Sequence, residues 1–192
     1  MTRIRPFVFA LPVTIAASLA VADDLPKSKQ TEAGLYVTAV EAASVLEDPN
    51  VLLIDIRSRA EVAFLGLPTR ANKHIPYMIM PMFAAFDAEK GAYGLEINPD
   101  FPTAFKTFMD QKGAGPDTKV ILMCRSGSRS ARAADLLAGM GYTNVYSMSD
   151  GFEGDKAKEG DMAGQRVVNG WRNAGLGWSY KISSAQAYDD DL

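Results

Sequence analysis

One cysteine occurs in the 192-residue chain, in the run Cys124-Arg125-Ser126-Gly127-Ser128-Arg129. The apolar stretch Val120-Ile121-Leu122-Met123 precedes it and reads as a strand. Ala133, Leu136, Leu137 and Met140 follow at i, i+3, i+4 and i+7, which predicts a helix, and Gly141 supplies its stop. The cysteine therefore falls between a strand end and a helix start. The first amides of a helix lack internal partners and favour negative charge in the loop before them. Arg125 and Arg129 add two formal positive charges, a setting in which thiolates form and react. Ser126, Gly127 and Ser128 are small enough for the backbone to curl round the sulfur. The loop reads as a cradle for a thiolate, or for a sulfur atom or oxyanion attached to it. Such a polar loop argues against a cysteine sealed in an apolar core.

A second group of chemistry-bearing residues leaves another strand. Val51 to Ile56 is almost wholly apolar, as suits a parallel strand covered on both faces, and Asp55, Arg57 and Glu61 follow from its C-terminal end. Around these runs the pattern alternates. Thr38-x-x-Glu41 is a capping box, and Asp48-Pro49 stops the helix it opens. Residues 57–76 read as a long connection with Gly66, Pro68 and Pro76. Phe101, Phe105, Phe108 and Met109 predict a helix ending at Gly113, and residues 144–147 a short strand. Asp150-Gly151-Phe152-Glu153-Gly154 is a turn. Alternation of this kind specifies an α/β domain with a parallel sheet, in which ligands bind beyond the C-terminal strand ends. Asp55 and Cys124 both stand at such ends.

These residues resemble the rhodanese family of sulfurtransferases. The likeness rests on Asp55-Ile56-Arg57 with Glu61, on Cys124 through Ser130, on Gly139-x-Gly141-Tyr142, on Asn144-Val145 and on Asp150-Gly151-Phe152. It spans about residues 36–155. The resemblance implies five parallel strands flanked by helices on both faces. It implies Cys124 as the nucleophile that accepts sulfane sulfur as a persulfide. Arg125, Ser126, Gly127, Ser128 and Arg129 would form the substrate-binding loop, with Asp55 and Arg57 in support. The family often carries Gly-His-Ile-Pro-Gly-Ala after its first motif. Here Gly66-Leu67-Pro68-Thr69-Arg70-Ala71 lacks that histidine, and His74, the one histidine, lies further on, where a structural role is expected.

The remaining segments frame the domain. Arg3 and Arg5, an apolar run from Phe7 to Leu19 and Ala20-Val21-Ala22 have the form of a signal peptide over residues 1–22. Export, to the periplasm in a Gram-negative source, is the expectation. A lone cysteine in an exported chain is an intermolecular partner or a reactive thiol. Residues 23–35 read as a linker, 36–182 as the rhodanese-like domain with a C-terminal extension, and 183–192 as a disordered acidic tail. Met78, Met80 and Met82 are expected to pack in the core, residues 87–98 to form a surface insertion, and Trp171 and Trp178 to pin the extension.

A net charge of −3 speaks against non-specific nucleic-acid binding. No metal-ligand pattern accompanies the methionines, so neither metal nor cofactor is expected. The expected partners are a small sulfur-containing anion as donor, and a thiol, sulfite, cyanide or a partner protein's cysteine as acceptor. Alternatives are a persulfide carrier, a redox or binding module of the same fold, and a phosphatase or arsenate reductase. The last pair uses C-x5-R to hold a tetrahedral oxyanion, whereas Cys124 to Arg129 is C-x4-R.

Overall fold

The computed structural model describes residues 25–188. Residues 1–24, which include the expected signal peptide over 1–22, and residues 189–192 lie outside the described residues. In chain order the elements are β1 (Tyr36–Val37), α1 (Ala39–Val45), β2 (Leu52–Asp55), α2 (Arg59–Leu65), β3 (Leu67–Pro68) and β4 (Lys73–His74). Then come β5 (Met78–Ile79), β6 (Phe86–Asp87), β7 (Ala92–Tyr93), β8 (Glu96–Ile97), α3 (Phe101–Lys112), β9 (Val120–Met123), α4 (Ser128–Gly139), β10 (Val145–Met148) and β11 (Trp178–Ser179).

Five strands form the central sheet in the order β1-β10-β9-β2-β4, every pair parallel. Side chains alternate across it, as the pleat requires. Leu52, Ile54, Val120, Leu122 and Cys124 face α3 and α4, against Phe101, Phe105, Ala133 and Leu137. Leu53, Ile121 and Met123 face α1 and α2, against Ala39, Ala42 and Val62. Coverage of both faces explains why β2 and β9 are unbroken apolar runs, all eight residues buried.

The capping box at Thr38 forms as the sequence predicts, and Gly113, with φ of 63°, ends α3. Elsewhere the structure departs from the sequence reading. Residues 57–76 are not simply a connection, because α2 opens there on a second capping box, Ser58 with Glu61. Met78 packs against the core, but Met80 is 47% and Met82 90% exposed, in the stretch between β5 and β6. None of residues 78–97 is buried, so apolar composition did not become burial there.

The linker is docked. Lys27–Lys29 makes a 3-10 turn, and Lys29 is buried with its Nζ 2.7 Å from Asp155. Residues 183–188, read from the sequence as part of a disordered tail, make defined contacts. There the Gln186 carbonyl accepts from the His74 amide at 2.7 Å, its Nε2 donates to the Ala71 carbonyl, and Tyr188 packs on the core. These bonds give the edge strand β4 a partner it would otherwise lack. Trp171 is buried and its Nε1 donates to the Gly177 carbonyl at 3.0 Å. Trp178 pairs β11 antiparallel with β3 and sets its ring edge-on to Phe152.

Candidate active site

Cys124 follows β9 directly, at its C-terminal end, and α4 begins four residues later. The backbone between must reverse sharply, and Gly127 at φ of 102° makes the bend. That bend aims the Gly127 amide at the sulfur, with N to Sγ 3.2 Å. The Ser130 hydroxyl lies 3.5 Å from Sγ. Ser147 Oγ donates to Ser130 Oγ at 2.9 Å, and Ser130 Oγ has the Gly127 carbonyl at 2.9 Å. The Ser130 proton thus has three acceptors within reach, the Gly127 and Met148 carbonyls and the sulfur, and can turn to a thiolate when one forms.

A turn braces this loop from behind. The Phe152 amide donates to the Cys124 carbonyl at 2.8 Å, and the Glu153 amide to that of Arg125 at 3.0 Å. Gly151 sits so close that a Cβ there would lie 2.6 Å from the Cys124 oxygen. Asp150 in turn accepts from the amides of Ala39 and Gly170 at 2.8 and 3.0 Å, tying α1 and the C-terminal extension to the same turn. Burial raises the Asp150 pKa from its ordinary value against the pull of those amides.

Cys124 is 1% exposed and belongs to the core cluster, more buried than its polar loop suggested. Its sulfur is reached through a cavity of about 350 Å3. Arg125, Ser126, Ser128, Arg129 and Arg166 line one side, and Met80, Tyr93 and Leu95 from the hairpins another. The two loop arginines do not face it as free charges. Arg129 holds Glu61 in a two-pronged ion pair, Nη1 to Oε2 at 2.7 Å and Nη2 to Oε1 at 2.5 Å. Burial pushes the Glu61 carboxyl up, but the Arg129 hydrogen bonds and charge, with Ser58, outweigh it and hold the group at about 2. Arg125 Nε donates to Glu153 at 2.5 Å.

Asp55 and Arg57 are fully buried and paired, Nη2 to Oδ2 at 2.5 Å. Arg57 also donates to the Gly66 carbonyl at 2.6 Å and stacks 3.9 Å over the Phe152 ring. They tie the end of β2 to the end of α2 and to the bracing turn, and neither lines the Cys124 cavity. His74 is buried with Nε2 2.7 Å from the Arg57 carbonyl, also away from that cavity. Burial lowers its pKa below the ordinary value, more than neighbouring Asp55 and that carbonyl raise it. Sequence reasoning missed Ser130 and Ser147 as neighbours of the sulfur, Glu61 and Glu153 as partners of the arginines, and Arg166 altogether. Only Ser58-x-x-Glu61 carried a readable signal, as a capping box.

Comparison with known proteins places this geometry. The model of the rhodanese-like domain matches residues 38–158. The chain belongs to the rhodanese-like domain family. An uncharacterized protein of Rickettsia prowazekii, RP600, is 30% identical over 131 residues, covering 68% of this chain and 85% of its own. The chloroplastic rhodanese-like domain-containing protein 9 of Arabidopsis thaliana is 25% identical over 158 residues, covering 73% of this chain and 63% of its own. The crystal structure of Rv0390 from M. tuberculosis superposes with a TM-score of 0.55 at 28% identity, covering 76% of this chain and 96% of that one. Rhodanese-like membership supports sulfur transfer as the class of chemistry. Within the family match fall Cys124, its loop and the bracing turn. Arg166, Trp171 and Trp178 lie beyond it.

Proposed function

We propose that the protein is a sulfurtransferase working through a persulfide on Cys124, with thiosulfate or a similar small anion as donor. One observation carries this reading: Cys124 lines a cavity, and its Sγ accepts the Gly127 amide at 3.2 Å. A thiolate there attacks the outer sulfur of thiosulfate. An S–S bond forms to Cys124, the sulfur–sulfur bond of the donor breaks, and sulfite leaves with the electron pair. The persulfide keeps one negative charge, which the same amide and the Ser130 hydroxyl are placed to stabilise. The chain has no second cysteine to release the sulfur as a disulfide. The acceptor is therefore external: cyanide in an assay, and a thiol, sulfite or a partner protein's cysteine in the cell. Cyanide attack on the outer sulfur gives thiocyanate and restores the thiolate.

A phosphatase or arsenate reductase would need the loop arginine for its oxyanion. Arg129 is instead committed to Glu61 through two nitrogens. The deciding experiment is intact mass after incubation with thiosulfate, followed by cyanide. Wild type is expected to gain one sulfur atom and lose it as thiocyanate, and a folded Cys124→Ser variant to do neither. Turnover retained by the serine variant would remove the mechanism.

Export is part of the same proposal and rests on residues 1–22 alone. The mature protein is expected to begin at Asp23. N-terminal sequencing of secreted material that starts at Met1 would refute this.

A further inference from the structure

Three arginines line the cavity above Cys124, and they are not equivalent. Arg125 is paired with Glu153, and Arg129 with Glu61. Arg166 has no carboxylate in salt-bridge range among the described residues. Its Nη1 donates to the Gly154 carbonyl, and its Nε is buried with no hydrogen-bond partner. A buried donor of a charged group left without an acceptor costs free energy, and the Arg166 guanidinium thus keeps hydrogen-bonding capacity that the described residues do not use.

The residue is held in place rather than carried on a loose end. Arg166 bridges Lys156, and its carbonyl accepts from Asn173 Nδ2 at 3.1 Å. Burial and the nearby Arg125 lower its pKa, while Glu153, Asp155 and the Cys124 sulfur act in the opposite direction. A guanidinium remains charged through such a shift. The hairpin wall of Met80, Ala92, Tyr93 and Leu95 is largely apolar and offers an anion little competition.

We infer that Arg166 takes the anionic end of the sulfur donor while Cys124 meets its outer sulfur, so that the site selects small donors with an anionic leaving end. This rests on the sulfur-transfer reading above. It assigns that selectivity to the C-terminal extension, since Arg166 lies past residue 158 where the family match ends. In the transfer from thiosulfate the departing sulfite carries the electron pair of the broken bond. Arg166 is the guanidinium positioned to neutralise it without first leaving a carboxylate.

The test uses two alkylating reagents of similar size and different charge, iodoacetate and iodoacetamide, on the full chain. Arg166→Gln removes the charge and Arg166→Lys keeps it. Losing a charge-assisted contact of this kind is expected to slow iodoacetate about tenfold or more. Iodoacetamide should be unaffected, and Arg166→Lys should recover part of the loss. Persulfide formation from thiosulfate, followed by mass, should fall in parallel, mainly through KM. Equal slowing with both reagents would mean that Arg166 only holds the Gly154 segment, and would overturn the inference. So would unchanged rates with both. Failure of wild type to take sulfur from thiosulfate, with iodoacetate selectivity still lost in Arg166→Gln, would reject the sulfur-transfer reading and leave the anion site standing.

Discussion

Glu61→Gln is the perturbation that most directly tests how the cysteine loop is held. The carboxylate accepts four hydrogen bonds, from the Ser58 amide, the Ser58 hydroxyl and two Arg129 nitrogens. Its side chain is 17% exposed and that of Arg129 11%, so solvent screens the pair little. Burial raises the Glu61 pKa, yet Arg129 and Ser58 hold it at about 2 against an ordinary 4.5. A carboxyl whose folded pKa lies below its unfolded one stabilises the fold fully above the unfolded value. That stabilisation is lost as pH falls from 4.5 towards about 2. At about 1.4 kcal/mol for each pH unit of separation, the contribution at neutral pH is about 3 kcal/mol. Glutamine has no charge to lose, and it leaves the Arg129 guanidinium buried without its counter-ion. Urea unfolding of both proteins, from neutral pH down to about 2, measures the difference. Wild type is expected to exceed the variant by about 3 kcal/mol at neutral pH, the gap closing as acid protonates Glu61. The opposite shift at Asp150 is common to both proteins and cancels. A gap that does not change with pH would show that packing, not ionisation, holds Glu61, and would refute the reasoning.

Ser130→Ala removes the hydroxyl 3.5 Å from Sγ, and should lower kcat/KM for sulfur transfer about five- to tenfold while the protein stays folded, the effect of one modest hydrogen bond. Steady-state kinetics beside circular dichroism tests it, and an unchanged kcat/KM would show that the hydroxyl only braces Gly127. Gly151→Ala places a Cβ 2.6 Å from the Cys124 oxygen at a φ of +61°, so it should cost about 1–3 kcal/mol and lower the melting temperature. An unaltered melting curve would mean that the turn has room the structure does not show.

What was legible in the sequence is what local chemistry decides. Thr38 and Glu41 are three residues apart and cap their own helix, so their pattern contains the whole interaction. Phe101, Phe105 and Phe108 lie on one side of α3 because helical spacing alone puts them there. The apolar runs of β2 and β9 say that both faces are covered. Partners across space were not legible. Arg129 and Glu61 are 68 residues apart, and Arg125 and Glu153 28 apart, so the sequence supplied the charges without their pairing. Met82 and Phe83 look like core residues by type, but they stand in the turn between β5 and β6 and are about nine-tenths exposed. Gln186 and Tyr188 look like a polar tail by composition, yet β4 has an open edge, and their backbone and ring close it. The Ser58–Glu61 capping box marks the start of α2, while Gly66 and Pro68, which have the composition of a connection, follow its end.

The pairing of the loop arginines changes what the loop does. Read from the sequence, Arg125 and Arg129 are two charges for an anion. In the fold each is answered by a carboxylate, which offsets part of its charge. What faces an anion at the cavity floor is the Gly127 amide and the start of α4, both fixed parts of the backbone. The ion pairs then act as ties. Arg129 fastens the first turn of α4 to α2, and Arg125 fastens the loop to the turn at Glu153, which would hold the amide in place under the proposed persulfide. Groups held in this way stabilise developing charge without reorganising, which is where electrostatic catalysis gains most. On the proposed reading, the positive charge for an anionic donor then comes from Arg166, which lines the cavity from beyond the residues that the family model matches.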